Sequence, residues 1–132
     1  IPQDGKKGNK ISINWLVEEM NKSRAAQKHL ILDICHSDTD TKGVGVRGKL
    51  NAPPKINNKK TALFMSCKDG EFSYPLANGS SSVYTKYFID AIKAQKSSKI
   101  DINELQKSID SGVRSWRLKH GRQQTPQLIQ PK

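Results

Sequence analysis

Between His29 and Ser37 the chain reads His-Leu-Ile-Leu-Asp-Ile-Cys-His-Ser, and this stretch holds the residue types best suited to chemistry. Its apolar residues predict a strand buried on both faces of a parallel sheet. Asp33, Cys35, His36 and Ser37 then lie at the carboxyl end of that strand, where open α/β sheets place their reacting groups. Side chains alternate along a strand, so Asp33 and Cys35 point to one side, with Cα atoms roughly 6 to 7 Å apart. A carboxylate close to a thiol favours the thiol over the thiolate. If Cys35 is a nucleophile, a nearby histidine must accept its proton and supply positive charge. Asp33 then makes sense as the floor of a pocket for a cationic substrate group. The alternative is a packing role for Cys35, with Asp33 hydrogen-bonded to the next loop.

The elements around this tip follow from periodicity. Ser12 can cap a helix whose apolar positions Ile13, Leu16, Val17 and Met20 share a face, and the pattern predicts an end near Gln27. Residues 38–60, rich in Gly, Pro and Asn, form a long irregular stretch directly after the reactive tip. Residues 61–67 predict a second buried strand. Phe72-Ser73-Tyr74-Pro75 reads as a short extended segment, which Pro75 restricts to a sheet edge. Tyr84, Tyr87, Phe88, Ala91 and Ile92 mark a second helix, after a turn over residues 78–82. Asp101 and Glu104 make a capping box for a third, with Ile102, Leu105, Ile109, Val113 and Trp116 on its buried face and Gly121 as its C-cap. Residues 127–130 predict a last short strand. This order says α/β with a mainly parallel sheet, and two or three strands make a thin one. The expectation is that further strands precede Ile1.

The 132 residues suit one domain. No apolar run is long enough to span a membrane. Two cysteines, Cys35 and Cys67, are too few for a disulfide scaffold and stand at no zinc-site spacing, which points to a reducing, cytoplasmic setting. The net charge of +11 comes largely from two acid-poor basic stretches, residues 42–68 and the residues after Asp110. Without an accompanying nucleic-acid motif these read as solvated surface, so nucleic acid ranks last among partners.

Leu32-Asp33-Ile34-Cys35-His36-Ser37 resembles the Asp-x-Cys-His-Ser motif at the nucleophile of metacaspases and other caspase-like cysteine peptidases. Ile1-Pro2-Gln3-Asp4 resembles the Ile-Pro-x-Asp segment that follows the histidine strand in that family. Ser66-Cys67-Lys68-Asp69 is similar to its Ser-Gly-Cys-Lys/Arg-Asp turn, and the residues from Gln124 to Gln127 to its Gln-x-Pro-Gln ending. Together these motifs span essentially the whole chain, in the family's order. The resemblance implies a caspase-like three-layer α/β/α fold, incomplete at its N-terminal side. Residues 1–132 would then be the C-terminal part of one domain, with 38–60 as a flexible inter-subunit-type loop.

The resemblance also implies roles. Cys35 would be the nucleophile, its backbone N–H part of an oxyanion hole. Asp33 would be the acid of the S1 pocket, giving cleavage after Arg or Lys. Ser73 and Tyr74 would lie in the edge segment along which substrate is laid as an added strand. Aspartate-cutting relatives carry an arginine where Pro75 stands, which again favours basic specificity. The family's catalytic histidine sits in a His-Gly motif upstream of Ile1, so the chain alone should be inactive. Ile13-Asn14 occupies the place of the Asp-Asp pair of calcium-dependent members, so no metal or cofactor is expected. The expected partners are a peptide with a basic residue before the cut bond and the missing N-terminal part of the domain. A non-catalytic scaffold or signalling module is the competing reading.

Overall fold

The computed structural model describes residues 12–34, 60–68 and 70–131. The order is α1 (Ile13–Lys22), β1 (Lys28–Leu32), β2 (Thr61–Met65), α2 (Val83–Ala94), α3 (Ile102–His120) and β3 (Gln127–Ile129). The sheet order is β1-β2-β3. β1 and β2 run parallel, Lys28 opposite Thr61 and Leu32 opposite Met65, while β3 pairs antiparallel to β2 with Phe64 opposite Leu128. The sheet is therefore small and mixed around one parallel pair, and the carboxyl ends of β1 and β2 lie together.

Alternation along the central strand builds two cores, and every residue of β2 is buried. Leu63 and Met65 face α1 and pack with Ile13 and Val17, joined by Leu30, Leu32 and Ile129. Ala62 and Phe64 face the other way and pack with Val83, Tyr84, Phe88 and Ala91 of α2 and Leu105, Ile109 and Val113 of α3. This is the helix–sheet–helix layering expected of the fold class. The helices also lean on each other closely. A Cβ built on Gly112 of α3 would press into the ring of Tyr87 on α2, 2.7 Å from its Cγ, so any larger residue forces that side chain to move.

Local chemistry sets the ends of the elements. Ser12, Ser82 and Asp101 are N-caps whose side chains accept from backbone N–H groups of the first turns. Gly121 closes α3 in the left-handed region at φ 61°. The capping box at Asp101 is completed by another residue than expected: its N–H donates to Oε1 of Gln95 at 3.0 Å, while Glu104 pairs with Lys107. α1 stops earlier than the pattern predicts. Ser23 turns extended, and its hydroxyl accepts from Ala25 N–H at 3.2 Å, a local bond that competes with another helical turn. The helix end is then capped by a buried cation: Lys28, 5 % exposed, donates to the carbonyls of Asn21 and Ser23 at 3.2 and 2.7 Å.

The strand expected to be buried on both faces is covered on one, where its apolar residues are half-buried. Leu30 and Leu32 pack beneath α1, but Ile31, on the opposite face, is 47 % exposed. The helices of that layer cover β2 rather than β1.

Candidate functional site

Among the described residues, the carboxyl end of β1 is fastened beyond Leu32 by side chains. Ser66 N–H donates to Leu32 O at 3.0 Å, the last backbone rung between the two strands among the described residues. Beyond it the Ser66 hydroxyl takes over, accepting from Ile34 N–H at 3.2 Å and donating to Ile34 O at 3.1 Å. Both polar backbone groups of the residue before Cys35 are thus held by one hydroxyl. Cys67, fully buried, places its Sγ 3.6 Å from Ile34 O and 3.5 Å from Glu71 O.

Asp33 points toward the α2–α3 layer and meets the start of α2. Its Oδ1 accepts from the Ser73 hydroxyl, and its Oδ2 accepts from the Ser82 hydroxyl and from Thr85 Oγ1 at 2.6 Å. Ser82 also accepts from Thr85 N–H at 2.9 Å. A carboxylate at this helix N-terminus is favoured by the unsatisfied N–H groups and the dipole there. Between Ser82 and Thr85 in the chain, Tyr84 is completely buried, and its hydroxyl has no partner among the described residues. Burial first, and then the negative charges of Asp33 and Asp110, push this phenol well above the usual tyrosine range.

The segment 72–75 runs beside this acid. Val83 N–H donates to Tyr74 O and Leu76 N–H to Ser81 O, both at 2.9 Å, making a single antiparallel bridge between Pro75 and Ser82. Tyr74 N–H donates to Oε1 of Gln124 at 3.1 Å, and Nε2 of Gln124 donates to Ser66 O at 3.1 Å. Glu71 adds a second tie, its Oε1 accepting from Lys68 N–H at 3.0 Å and Thr125 N–H at 2.8 Å, and its Oε2 from the Thr125 hydroxyl at 3.1 Å. Outside these bonds runs a row of rings. Phe72 and Tyr74 are 5.9 Å apart, Tyr74 and Trp116 5.4 Å, and Trp116 stacks on His120 at 4.7 Å.

Against known families, the chain matches the caspase domain over residues 5–132. The chain belongs to the caspase-domain family. No curated protein matches it. The family is one of cysteine peptidases, and its α/β architecture agrees with the parallel pair and the three layers.

Within this caspase domain the structure brings Asp33 and Ser73 into direct contact, with Tyr74 alongside. Cys35 and His36 lie outside the described residues, as do Asp69, residues 1–11 and nearly all of the 38–60 loop. His29 stands at the far end of β1, roughly 13 Å from Asp33 by the rise of a strand, with its ring edge-on to Phe64. His120 ends α3, its Nδ1 2.9 Å from Trp116 O. Four site residues had no assigned role in the sequence reading: Ser66, Ser82, Thr85 and Gln124. The caps of α2 were visible as a serine run before an apolar stripe; nothing local to Gln124 announced that it would be buried. Among the described residues no helix is long and apolar enough to cross a membrane, and no group of three or more His, Cys, Asp or Glu is placed to hold a metal ion. A cleft of about 220 Å³ does open at the opposite end of the strands, beside Lys28, His29 and Lys60. It is remote from Asp33.

Proposed function

We propose that the intact domain is a cysteine endopeptidase that cuts after Arg or Lys, with Cys35 as nucleophile. The Cys35 thiolate attacks the carbonyl carbon of the scissile bond, and the oxyanion is met by backbone N–H groups. A histidine supplied from outside these 132 residues takes the thiol proton and passes it to the leaving amine. Collapse of the tetrahedral intermediate breaks the C–N bond and leaves a thioester. Water, deprotonated by the same histidine, then hydrolyses it and regenerates the thiol. Asp33 receives the basic side chain before the cut bond (P1), in a chain that reads as a cytoplasmic protein.

The observation that carries this reading is the Asp33 carboxylate, fixed at the carboxyl end of β1 two residues before Cys35, in a chain of the caspase family. The edge segment supports it with one adjustment. Tyr74 directs both backbone groups inward, to Gln124 and Val83, so its contribution to substrate would come from its ring rather than its backbone. Ser73, whose hydroxyl meets Asp33, is the residue of that segment nearest the proposed pocket.

One observation favours a second reading. The three hydroxyl bonds of Asp33 tie β1 to α2 and to the edge segment, which is also what a non-catalytic scaffold would need. Cleavage of Arg- and Lys-containing peptides by the intact protein, dependent on reduced thiol and abolished in Cys35→Ala, is the expected result. Cleavage unchanged in Cys35→Ala defeats the peptidase reading.

A further inference from the structure

A carboxylate offers about four acceptor sites, two on each oxygen. Among the described residues three are taken at Asp33, all by hydroxyls, and they are shared unequally: Oδ1 holds Ser73, while Oδ2 holds both Ser82 and Thr85. The two donors on Oδ2 belong to one rigid unit, since Ser82 is the N-cap of α2 and accepts from Thr85 N–H. The orientation of the Asp33 side chain is therefore set by α2 before any ligand arrives. We propose that Ser82 and Thr85 are positioning residues that lock Asp33 by Oδ2 and leave one acceptor site, on Oδ1, for the cation of the substrate. This rests on the reading of Asp33 as the acid of the S1 pocket.

The consequence concerns which cation is preferred. A guanidinium gains most from a two-pronged contact with both oxygens of a carboxylate, whereas an ammonium is a compact donor that needs only one. With Oδ2 filled, the fork cannot close, and arginine loses its main advantage over lysine. Ser82 serves two purposes, as cap and as lock, so its removal would disturb α2 itself. Thr85 sits one turn in, and its hydroxyl can be removed with the cap left in place.

The test uses the intact protein and a pair of peptides that differ only in Arg or Lys before the cut bond. The expected Arg-to-Lys ratio of kcat/KM is within about fivefold of unity, where a two-pronged grip would give more than about tenfold. Thr85→Val frees a site on Oδ2 and should raise the ratio by about fivefold or more, and Thr85→Ser should restore it. A melting transition checks that each variant is folded; if Thr85→Val is not, Thr85→Ala makes the same comparison. If Asp33→Ala abolishes cleavage of both peptides but the ratio is unmoved by loss of the Thr85 hydroxyl, the lock is overturned and the S1 assignment stands. If Asp33→Ala cuts both peptides as well as wild type, or wild type cuts neither, both fall together.

Discussion

Replacing Gln124 by leucine tests whether the buried amide joins the end of β2 to the edge segment. Gln124 is 1 % exposed, accepts from Tyr74 N–H and donates to Ser66 O, each at 3.1 Å. Leucine nearly fills the volume but offers neither bond, leaving a backbone N–H and a backbone C=O buried and unpaired. Each orphaned group costs about 1 to 3 kcal/mol, and the better transfer of leucine into an apolar site returns part of that. The expected net loss for Gln124→Leu is about 2 to 4 kcal/mol, or about 10 °C in Tm for a domain of this size. Urea unfolding followed by tryptophan fluorescence suits the question, because Trp116 packs on Tyr74 and reports on the segment that the amide holds. Gln124→Glu is the informative companion. It keeps an acceptor for Tyr74 N–H but turns a charged oxygen on the Ser66 carbonyl, so at neutral pH it should cost no less than leucine. A loss under about 0.5 kcal/mol for Gln124→Leu would show that the amide is dispensable and refute the reasoning.

Gly112→Ala should lower stability by about 1 to 2 kcal/mol. Helix propensity favours alanine by about 1 kcal/mol, but its methyl would meet Tyr87 Cγ at 2.7 Å, where rotating the ring gives no relief, and overpacking of this kind outweighs the gain. A higher Tm for the variant would contradict the close helix contact. Tyr84 predicts an alkaline effect. Its folded-state value is raised above the ordinary 10.0, so the folded protein holds the phenol proton where the unfolded chain has lost it, and stability falls as pH climbs above that value. In Tyr84→Phe the decline should be shallower, with stability at pH 7 unchanged or slightly improved because an unpartnered buried hydroxyl is removed. Equal slopes in urea midpoints between pH 9 and 11 would count against it.

The element order was legible because hydrophobic period and caps agree with the tertiary packing at each helix. Leu105, Ile109 and Val113 are buried on α3 as their spacing demands, and Gly121 stops it. Thr61 to Met65 is the central strand because nothing in it is obliged to face water. The misjudged features share a different cause. The early end of α1 depends on the Ser23 hydroxyl bonding Ala25, and the exposure of Ile31 depends on which strand the helices cover; neither is a property of a periodic pattern. The site divides the same way. Asp33 was readable from a motif at a strand end, and Ser73 from the segment beside it. Gln124, Ser66 and Thr85 act across separations of about fifty residues or of thirty-odd, and a polar residue in a polar stretch carries no local mark of burial.

The fastening of the carboxyl ends of β1 and β2 by hydroxyls and one amide has an evolutionary corollary. Ser66, Ser73, Ser82, Thr85 and Gln124 are polar residues outside both apolar clusters, but Ser66 and Gln124 are fully buried and Ser82 caps α2, so only Ser73 and Thr85, both half-buried, can change with little effect on the packing of Phe64, Ile109 and Val113. Mutational drift can therefore reshape the mouth of the sheet at Ser73 and Thr85 first, while Ser66 and Gln124 share the stricter constraint of the buried interior beneath them.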